Sequence, residues 1–121
     1  MKNIINTLLL AGIIIIGACT KADEQDQQNV GTLTYPVASF TFSGNEGPAP
    51  VTVQFHNHSE YSDQWEWTFH NGSKSSEFEP TFSYSNNTGD DVTYLVTLKV
   101  TDSNSGLTDT RSKSVVIHPS N

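Results

Sequence analysis

Apolar and polar residues alternate along most of the chain after Pro36, and this period of two is the feature that most restricts the fold. The alternation runs through segments 37–42, 51–56, 65–70 and 94–101, which are rich in β-branched and aromatic residues. Clusters of Gly, Asn, Ser and Asp separate or follow these segments, at 43–48, 70–73, 85–90 and 102–106. Short strands joined by turns predict an all-β chain that folds as an antiparallel β-sandwich.

The same alternation predicts which side chains are buried, because every second residue of a strand points to the same face of its sheet. Trp67 is expected to pack between the two sheets. The other residues expected in this core are Val53, Phe55, Trp65, Phe69, Tyr84, Val96, Leu98 and Val115. The alternative for the aromatic residues is a flat platform that stacks on a sugar, made of Tyr61, Trp65, Trp67 and Phe69. Burial is the favoured interpretation for the last three, whereas Tyr61 precedes the strand and is freer to be exposed.

Residues 1–18 have the composition of an export signal, with a basic start, the apolar run 8–16 and two small residues. The run is shorter than the roughly 20 apolar residues that span a bilayer, so a retained transmembrane helix is the weaker alternative. The sequence Ile-Gly-Ala-Cys at 16–19 resembles the lipobox of bacterial lipoproteins. This resemblance implies cleavage between Ala18 and Cys19, transfer of diacylglycerol to the Cys19 thiol, and acylation of the new amino terminus, for example with palmitate. The alternative is that Cys19 is an ordinary small residue of an N-terminal helix.

Residues 19–34 are predicted to comprise the lipidated Cys19 and a flexible acidic tether. Segment 20–29 is polar and has no aromatic residue, so it buries too little apolar surface to fold. A flexible segment of about a dozen residues reaches roughly 20 Å. The sequence Lys-Ala-Asp-Glu at 21–24 is similar to signals that direct some Bacteroidetes lipoproteins to the outer face of the outer membrane, and a plain linker is the alternative. The expected location is the cell envelope, on the outer membrane, facing either the periplasm or the outside.

The charge and the cysteine content argue against nucleic-acid binding and exclude an internal disulfide. The net charge is −7 and no cluster of Lys and Arg is present, so nucleic acid is not an expected partner. Cys19 is the only cysteine, so no disulfide forms within the chain and packing must stabilise the fold. The last predicted strand ends near position 118 and leaves a short tail, 119–121, so no second domain is expected after it.

Segment 65–72, Trp-Glu-Trp-Thr-Phe-His-Asn-Gly, resembles the signature Tyr-x-Trp-Asp-Phe-Gly-Asp-Gly of PKD (polycystic kidney disease) domains. Segments 36–40, 49–55, 79–84 and 94–102 are similar to further elements of that family, and together they cover residues 35–118. The resemblance implies an immunoglobulin-like β-sandwich of about seven strands that mediates contacts with proteins or carbohydrates. The core and signature positions that it marks are Trp65, Trp67, Phe69, Gly72, Pro80 and Tyr84.

This chain departs from the signature mainly at its turn. Thr68 and Asn71 replace the two Asp residues, His70 replaces the first Gly, and Phe82 stands where a His is usual. Because Asn adopts a positive φ readily, the hairpin is expected to survive. His70 is the departure expected to affect the geometry of the turn.

Two sets of side chains could bind a metal ion. His56 and His58 are two residues apart on a predicted strand, so they share a face and could chelate zinc or copper weakly. Asp90 and Asp91 end the polar loop 86–91, whose oxygen atoms could bind calcium. Because neither set has the ligand number or spacing of an established site, the expected cofactor is none, and solvent exposure is the favoured interpretation of all four side chains.

The sequence predicts a protein without enzymatic activity. No nucleophile elbow, phosphate-binding glycine loop or Cys/His pair is found, and the acidic pair Glu77 and Glu79, expected on one strand face, is interpreted as solvated. Two functions remain open at this point: a membrane-anchored domain that binds a protein, as a subunit of an outer-membrane complex or in adhesion, and a lipoprotein that captures polysaccharide.

Overall fold

The computed structural model describes residues 32–121, and the folded unit runs from Thr34 to Asn121. Its strands are β1 (Phe40–Ser43), β2 (Val51–Asn57), β3 (Gln64–Thr68), β4 (Lys74–Ser75), β5 (Thr81–Tyr84), β6 (Val92–Thr101) and β7 (Thr108–Ile117). Every neighbouring pair of strands is antiparallel. Residues 32–121 contain no helix that is long and apolar enough to cross a membrane.

The strands form two sheets, one with the order β1-β2-β5 and the other with the order β4-β3-β6-β7. The alternation along β2, β3 and β6 gives each of these strands one buried and one solvated face, which is what a two-layer sandwich requires. The predicted all-β, immunoglobulin-like sandwich of about seven strands is therefore confirmed.

The core lies between the sheets and is centred on Trp67, which has no solvent exposure. Its indole ring packs edge-on against Phe40 at a centroid distance of 5.0 Å and lies 5.4 Å from the ring of Phe55. Eight of the nine residues predicted for the core are buried, and Trp65 is half-buried and packs against them. The core also contains residues that the prediction did not include, namely Ala38, Phe40, Ala49, Val100 and Ile117.

The structure adds three details to the sequence prediction, and the first of them corrects a strand boundary. Ladder pairing starts at Phe40 instead of Val37, because Val37 makes only an isolated bridge to Glu60. The two-residue strand β4 was not predicted, and the predicted tail is bonded to the domain, since the backbone N–H of Ser120 donates to the Asn86 carbonyl oxygen at 3.0 Å.

Candidate functional site

The shortness of β4 leaves part of β3 without a partner strand. β4 pairs only with Trp67 and Thr68, whereas all five residues of β3 pair with β6 on the other side. The backbone groups of residues 64–66 that point away from β6 therefore have no strand partner in the described part of the chain. An open groove of about 710 Å³ lies along this edge, and we call it the β3 groove. The residues around it include Asp63, Trp65, Glu66, Lys74, Ser76 and Lys99.

Trp65 and Phe78 give this edge of the sandwich an apolar wall. Trp65 is half-buried and lines the groove, and its ring meets that of Phe78 edge-on at a centroid distance of 4.8 Å. Phe78 is 46% exposed and lies in the connection between β4 and β5. The sequence prediction missed Phe78, because no alternation marks it as part of a strand.

The structure does not assemble the alternative four-residue aromatic platform. Trp67 and Phe69 are buried in the core, whereas Tyr61 is 61% exposed and precedes β3 with a φ of 58°. Of the four residues, only Trp65 contributes to the groove.

The charged groups of the β3 groove balance one another. The Lys74 ammonium lies 3.6 Å from the Glu66 carboxylate, and Lys99 stands opposite Glu66 in the register of β3 and β6. The side-chain hydroxyl and backbone N–H of Ser103 donate to the Asp63 carboxylate and lower its pKa, so this group stays ionised. Two acidic and two basic side chains thus make the groove neutral in a chain whose net charge is −7.

The connection after β4 explains why the edge is open. The Trp67 indole N–H donates to the backbone carbonyl oxygen of Glu77 at 2.9 Å, which directs the chain away from β3. The Glu79 carboxylate then accepts the backbone N–H of Asn57 at 3.0 Å on the opposite sheet. The prediction that Glu77 and Glu79 share a strand face was wrong, because both lie between β4 and β5 and cross from one sheet to the other.

The turn after β3 keeps its hairpin in spite of the substituted signature. The backbone N–H of Gly72 donates to the carbonyl oxygen of Phe69, and that of Phe69 to the carbonyl oxygen of Ser73, both at 2.9 Å. Gly72 adopts the positive φ, at 85°, so Asn71 does not have to. Asn71 instead accepts two hydrogen bonds from Ser73 through its side-chain oxygen. His70 is accommodated because only Gly72 needs the left-handed conformation.

His70 also takes part in an aromatic cluster that the sequence prediction missed. Its ring lies 4.0 Å from that of Tyr94 and 5.5 Å from that of Tyr84, and Phe82 packs beside them. The buried hydroxyl of Tyr84 has no hydrogen-bond partner among the described residues. Burial, together with the neighbouring Tyr94, raises the pKa of Tyr84 to about 12.

The two predicted histidine ligands lie on the outer face of the sheet β1-β2-β5. The Nε2 atom of His56 is 3.3 Å from the Ser43 hydroxyl, and that of His58 is 3.2 Å from the Thr41 hydroxyl. Within residues 32–121, no three His, Cys, Asp or Glu side chains come together as a metal site would require. Metal binding by the two histidines stays a prediction.

The loop 86–91 is organised by Asn86, which is only 2% exposed. Its amide donates to the backbone carbonyl oxygens of Asp90 and Ile117 at 2.7 and 2.8 Å, and its side-chain oxygen accepts two bonds from Thr88. The Asp91 carboxylate lies 2.8 Å from the Nδ1 atom of His118. Calcium binding by Asp90 and Asp91 also stays a prediction.

Other predicted features lie outside the described residues. Ala18, Cys19 and segment 20–31 of the tether belong to this group, so lipidation and signal cleavage stay predictions.

Comparison with known proteins identifies the family. The chain resembles the PKD1 domain of Vibrio anguillarum Epp with 30% identity and a TM-score of 0.57, covering 71% of this chain and 96% of that domain. It resembles the PKD1 domain of the Vibrio cholerae metalloprotease PrtV with 31% identity and a TM-score of 0.54, covering 70% of this chain and 99% of that domain. No family model and no curated protein sequence matches the chain. The identities, the nearly complete coverage of both domains and the two-sheet architecture together place this chain in the PKD-domain family.

Proposed function

We propose that this protein is a lipid-anchored PKD domain that binds a partner protein at the bacterial cell envelope and catalyses no reaction. The single observation that carries the proposal is the β3 groove, an open surface lined by Trp65, which packs against Phe78, and by charged side chains that sum to no net charge. Interfaces commonly combine an apolar centre with polar groups around it. A PKD domain that presents such a surface is suited to contact another molecule without transforming it.

The anchor is supported by the sequence around the cysteine. A cleaved and lipidated Cys19 would carry two or more acyl chains, and two chains are enough for stable attachment to a bilayer. The acidic segment that follows would keep the domain within roughly 20 Å of the membrane. The partner is therefore expected in or near the same membrane.

Site-specific photo-crosslinking in living cells tests the partner. A photoreactive residue is placed at Ser76, in the β3 groove, and for comparison at Ser83, on the outer face of β5. We expect a discrete crosslinked band with a protein from position 76 and none from position 83. Equal bands from both positions, or no band from either, would refute a protein-binding site in the groove.

Metabolic labelling with palmitate tests the anchor. The wild-type chain and a Thr20→Ala control are expected to incorporate label and to sediment with membranes. Cys19→Ala is expected to lose both properties, and label retained in this variant would refute lipidation at Cys19.

Polysaccharide capture is a second candidate function, and the Trp65–Phe78 pair favours it, because a sugar ring can stack on an exposed aromatic face. Retardation of the protein in gels that contain polysaccharide measures such binding. Trp65→Ala is expected to abolish retardation, and Tyr61→Ala, which removes an exposed aromatic residue away from the groove, is expected to preserve it. If both variants are still retarded, the groove is excluded as a glycan site.

A further inference from the structure

We infer that the open edge of β3 binds an extended peptide segment of the partner protein by backbone pairing, so that the partner adds a strand in line with β4. This inference rests on the proposed function and names the chemistry of its site. Exposed strand edges are a recurrent mode of peptide recognition, because their unpaired N–H and C=O groups bind an extended backbone of almost any sequence.

The register of β3 and β4 shows where the added strand would lie. Ser75 is opposite Trp67, and the antiparallel order would place the next three residues opposite Glu66, Trp65 and Gln64. The chain does not follow this path, because the indole of Trp67 binds the Glu77 carbonyl oxygen and directs the chain inward. Three positions of β3 thus lack a partner strand on this side, and the β3 groove lies beside them. Because Phe69 bonds toward β4 and alternate residues point the same way, Trp65 is the one of the three whose N–H and C=O groups face the open edge.

Another edge of the same sheet is protected. At the end of β7, Asn45 donates to the carbonyl oxygen of Val116 at 3.1 Å, and Ala49 donates to that of His118 at 3.2 Å. Earlier in β7, the edge carries Arg111 and Lys113, and charged residues of this kind oppose unspecific strand pairing. The open part of β3 instead presents the half-buried ring of Trp65 between two polar residues.

The groove also defines the side chains of the incoming segment. A residue opposite Trp65 points to the same side as the indole, toward the wall that Phe78 completes, so an apolar side chain fits there. Residues opposite Gln64 and Glu66 point to the outer face, where Lys74 already pairs with Glu66. Uncharged polar side chains fit those two positions, because the groove has two acidic and two basic side chains and therefore no net charge.

Binding of a defined peptide tests backbone pairing directly. The probe is an acetylated and amidated pentapeptide, Thr-Val-Thr-Val-Thr, added to the full-length chain labelled with ¹⁵N in detergent micelles. Two further peptides carry N-methyl groups on both valines or on the first and last threonines. Since alternate residues of a strand direct their N–H groups to opposite edges, only one of these two peptides loses donors that face β3.

We expect the unmodified peptide to shift the amide signals of residues 64–66 and to slow the exchange of the Trp65 N–H with solvent. One methylated peptide should bind with similar affinity, and the other at least about tenfold more weakly, because it lacks hydrogen bonds to the edge. Equal binding of both methylated peptides, or shifts that lie mainly on the sheet β1-β2-β5, would overturn the inference, as would no binding of the unmodified peptide.

Two arginine variants provide the control. Ser76→Arg puts a long side chain into the groove and is expected to abolish peptide binding, whereas Ser83→Arg on the other sheet is expected to preserve it. Circular dichroism and the melting temperature establish that both variants fold. If Ser76 crosslinks to a protein in cells but the peptide data show no pairing, strand addition is refuted while the protein-binding function stands. If neither is observed, both fail.

Discussion

Replacing Trp67 by alanine removes the largest fully buried side chain of the described residues. Large aromatic deletions from protein cores cost about 3–5 kcal/mol of the free energy of unfolding. The structure places this substitution in the upper half of that range, because the indole contacts Phe40 and Phe55 and its N–H donates to Glu77. The lost hydrogen bond alone contributes about 0.5–1.5 kcal/mol.

The expected loss is large relative to the whole stability of a small domain, which is about 5–15 kcal/mol. For a domain of this size, each kcal/mol lowers the melting temperature by about 4–8 °C, so a loss of about 4–5 kcal/mol in Trp67→Ala should lower it by about 16–40 °C. The assay is urea and thermal unfolding followed by far-ultraviolet circular dichroism, since tryptophan fluorescence changes with the substitution itself.

The matched control is Trp65→Ala, which removes the same side chain from the rim of the sandwich. Trp65 is half-buried and is expected to contribute only about 1–2 kcal/mol. If Trp67→Ala does not fold, Trp67→Phe retains most of the packing and should still cost about 1–2 kcal/mol, because the Glu77 carbonyl oxygen loses its donor. A loss for Trp67→Ala that is equal to or smaller than that for Trp65→Ala would refute the assignment of Trp67 to the centre of the core.

Three further substitutions test other parts of the structure. Because burial raises the pKa of Tyr84 to about 12, whereas an unfolded tyrosine titrates near 10, the free energy of unfolding should fall as the pH rises from about 10 to about 12. Tyr84→Phe should remove that part of the fall, as urea unfolding at two alkaline pH values measures; an unchanged pH dependence would contradict the assignment. Gly44→Ala should cost about 2–4 kcal/mol, because φ is +101° and the new Cβ would lie 2.6 Å from a carbonyl oxygen of β2. Gly89→Ala is the control, because Gly89 has a similar φ of +89° but open space around it, and it should cost only about 1 kcal/mol. Equal melting temperatures of the two variants would exclude the close contact between position 44 and β2. Asn86→Ala should lower the free energy of unfolding by about 2–4 kcal/mol, because it releases the loop that follows β5. The control Asn87→Ala should lie within about 0.5 kcal/mol of wild type in the same assay. An equally small loss for Asn86→Ala would contradict the role of the buried amide.

The strands that the sequence predicted well are those with one face in the core. β2, β3 and β6 alternate because solvent and core select different residues on their two faces. The first half of β7 and all of β4 were not predicted, since both lie at sheet edges and carry polar residues on both faces. A strand pattern of period two is absent there, so only pairing with a neighbour defines the strand.

The candidate site was predictable only in part. The sequence marked Trp65 as part of an aromatic segment, but it gave no sign that Phe78 packs against Trp65 or that β4 ends early. These features depend on the hydrogen bond between the Trp67 indole and the Glu77 carbonyl oxygen, which joins β3 to the connection after β4 and leaves no periodic signal in the sequence. The pairing of Asp91 with His118 is likewise a contact between distant positions, at 27 residues apart.

The proposed attachment of this PKD domain to a membrane is tested most directly by mass spectrometry of the mature chain purified from membranes of its source organism. We predict an amino-terminal peptide that begins at Cys19 and carries a thioether-linked diacylglycerol and an N-acyl group. A chain that retains residues 1–18, or one that begins at Cys19 with a free thiol, would contradict a lipid-anchored function.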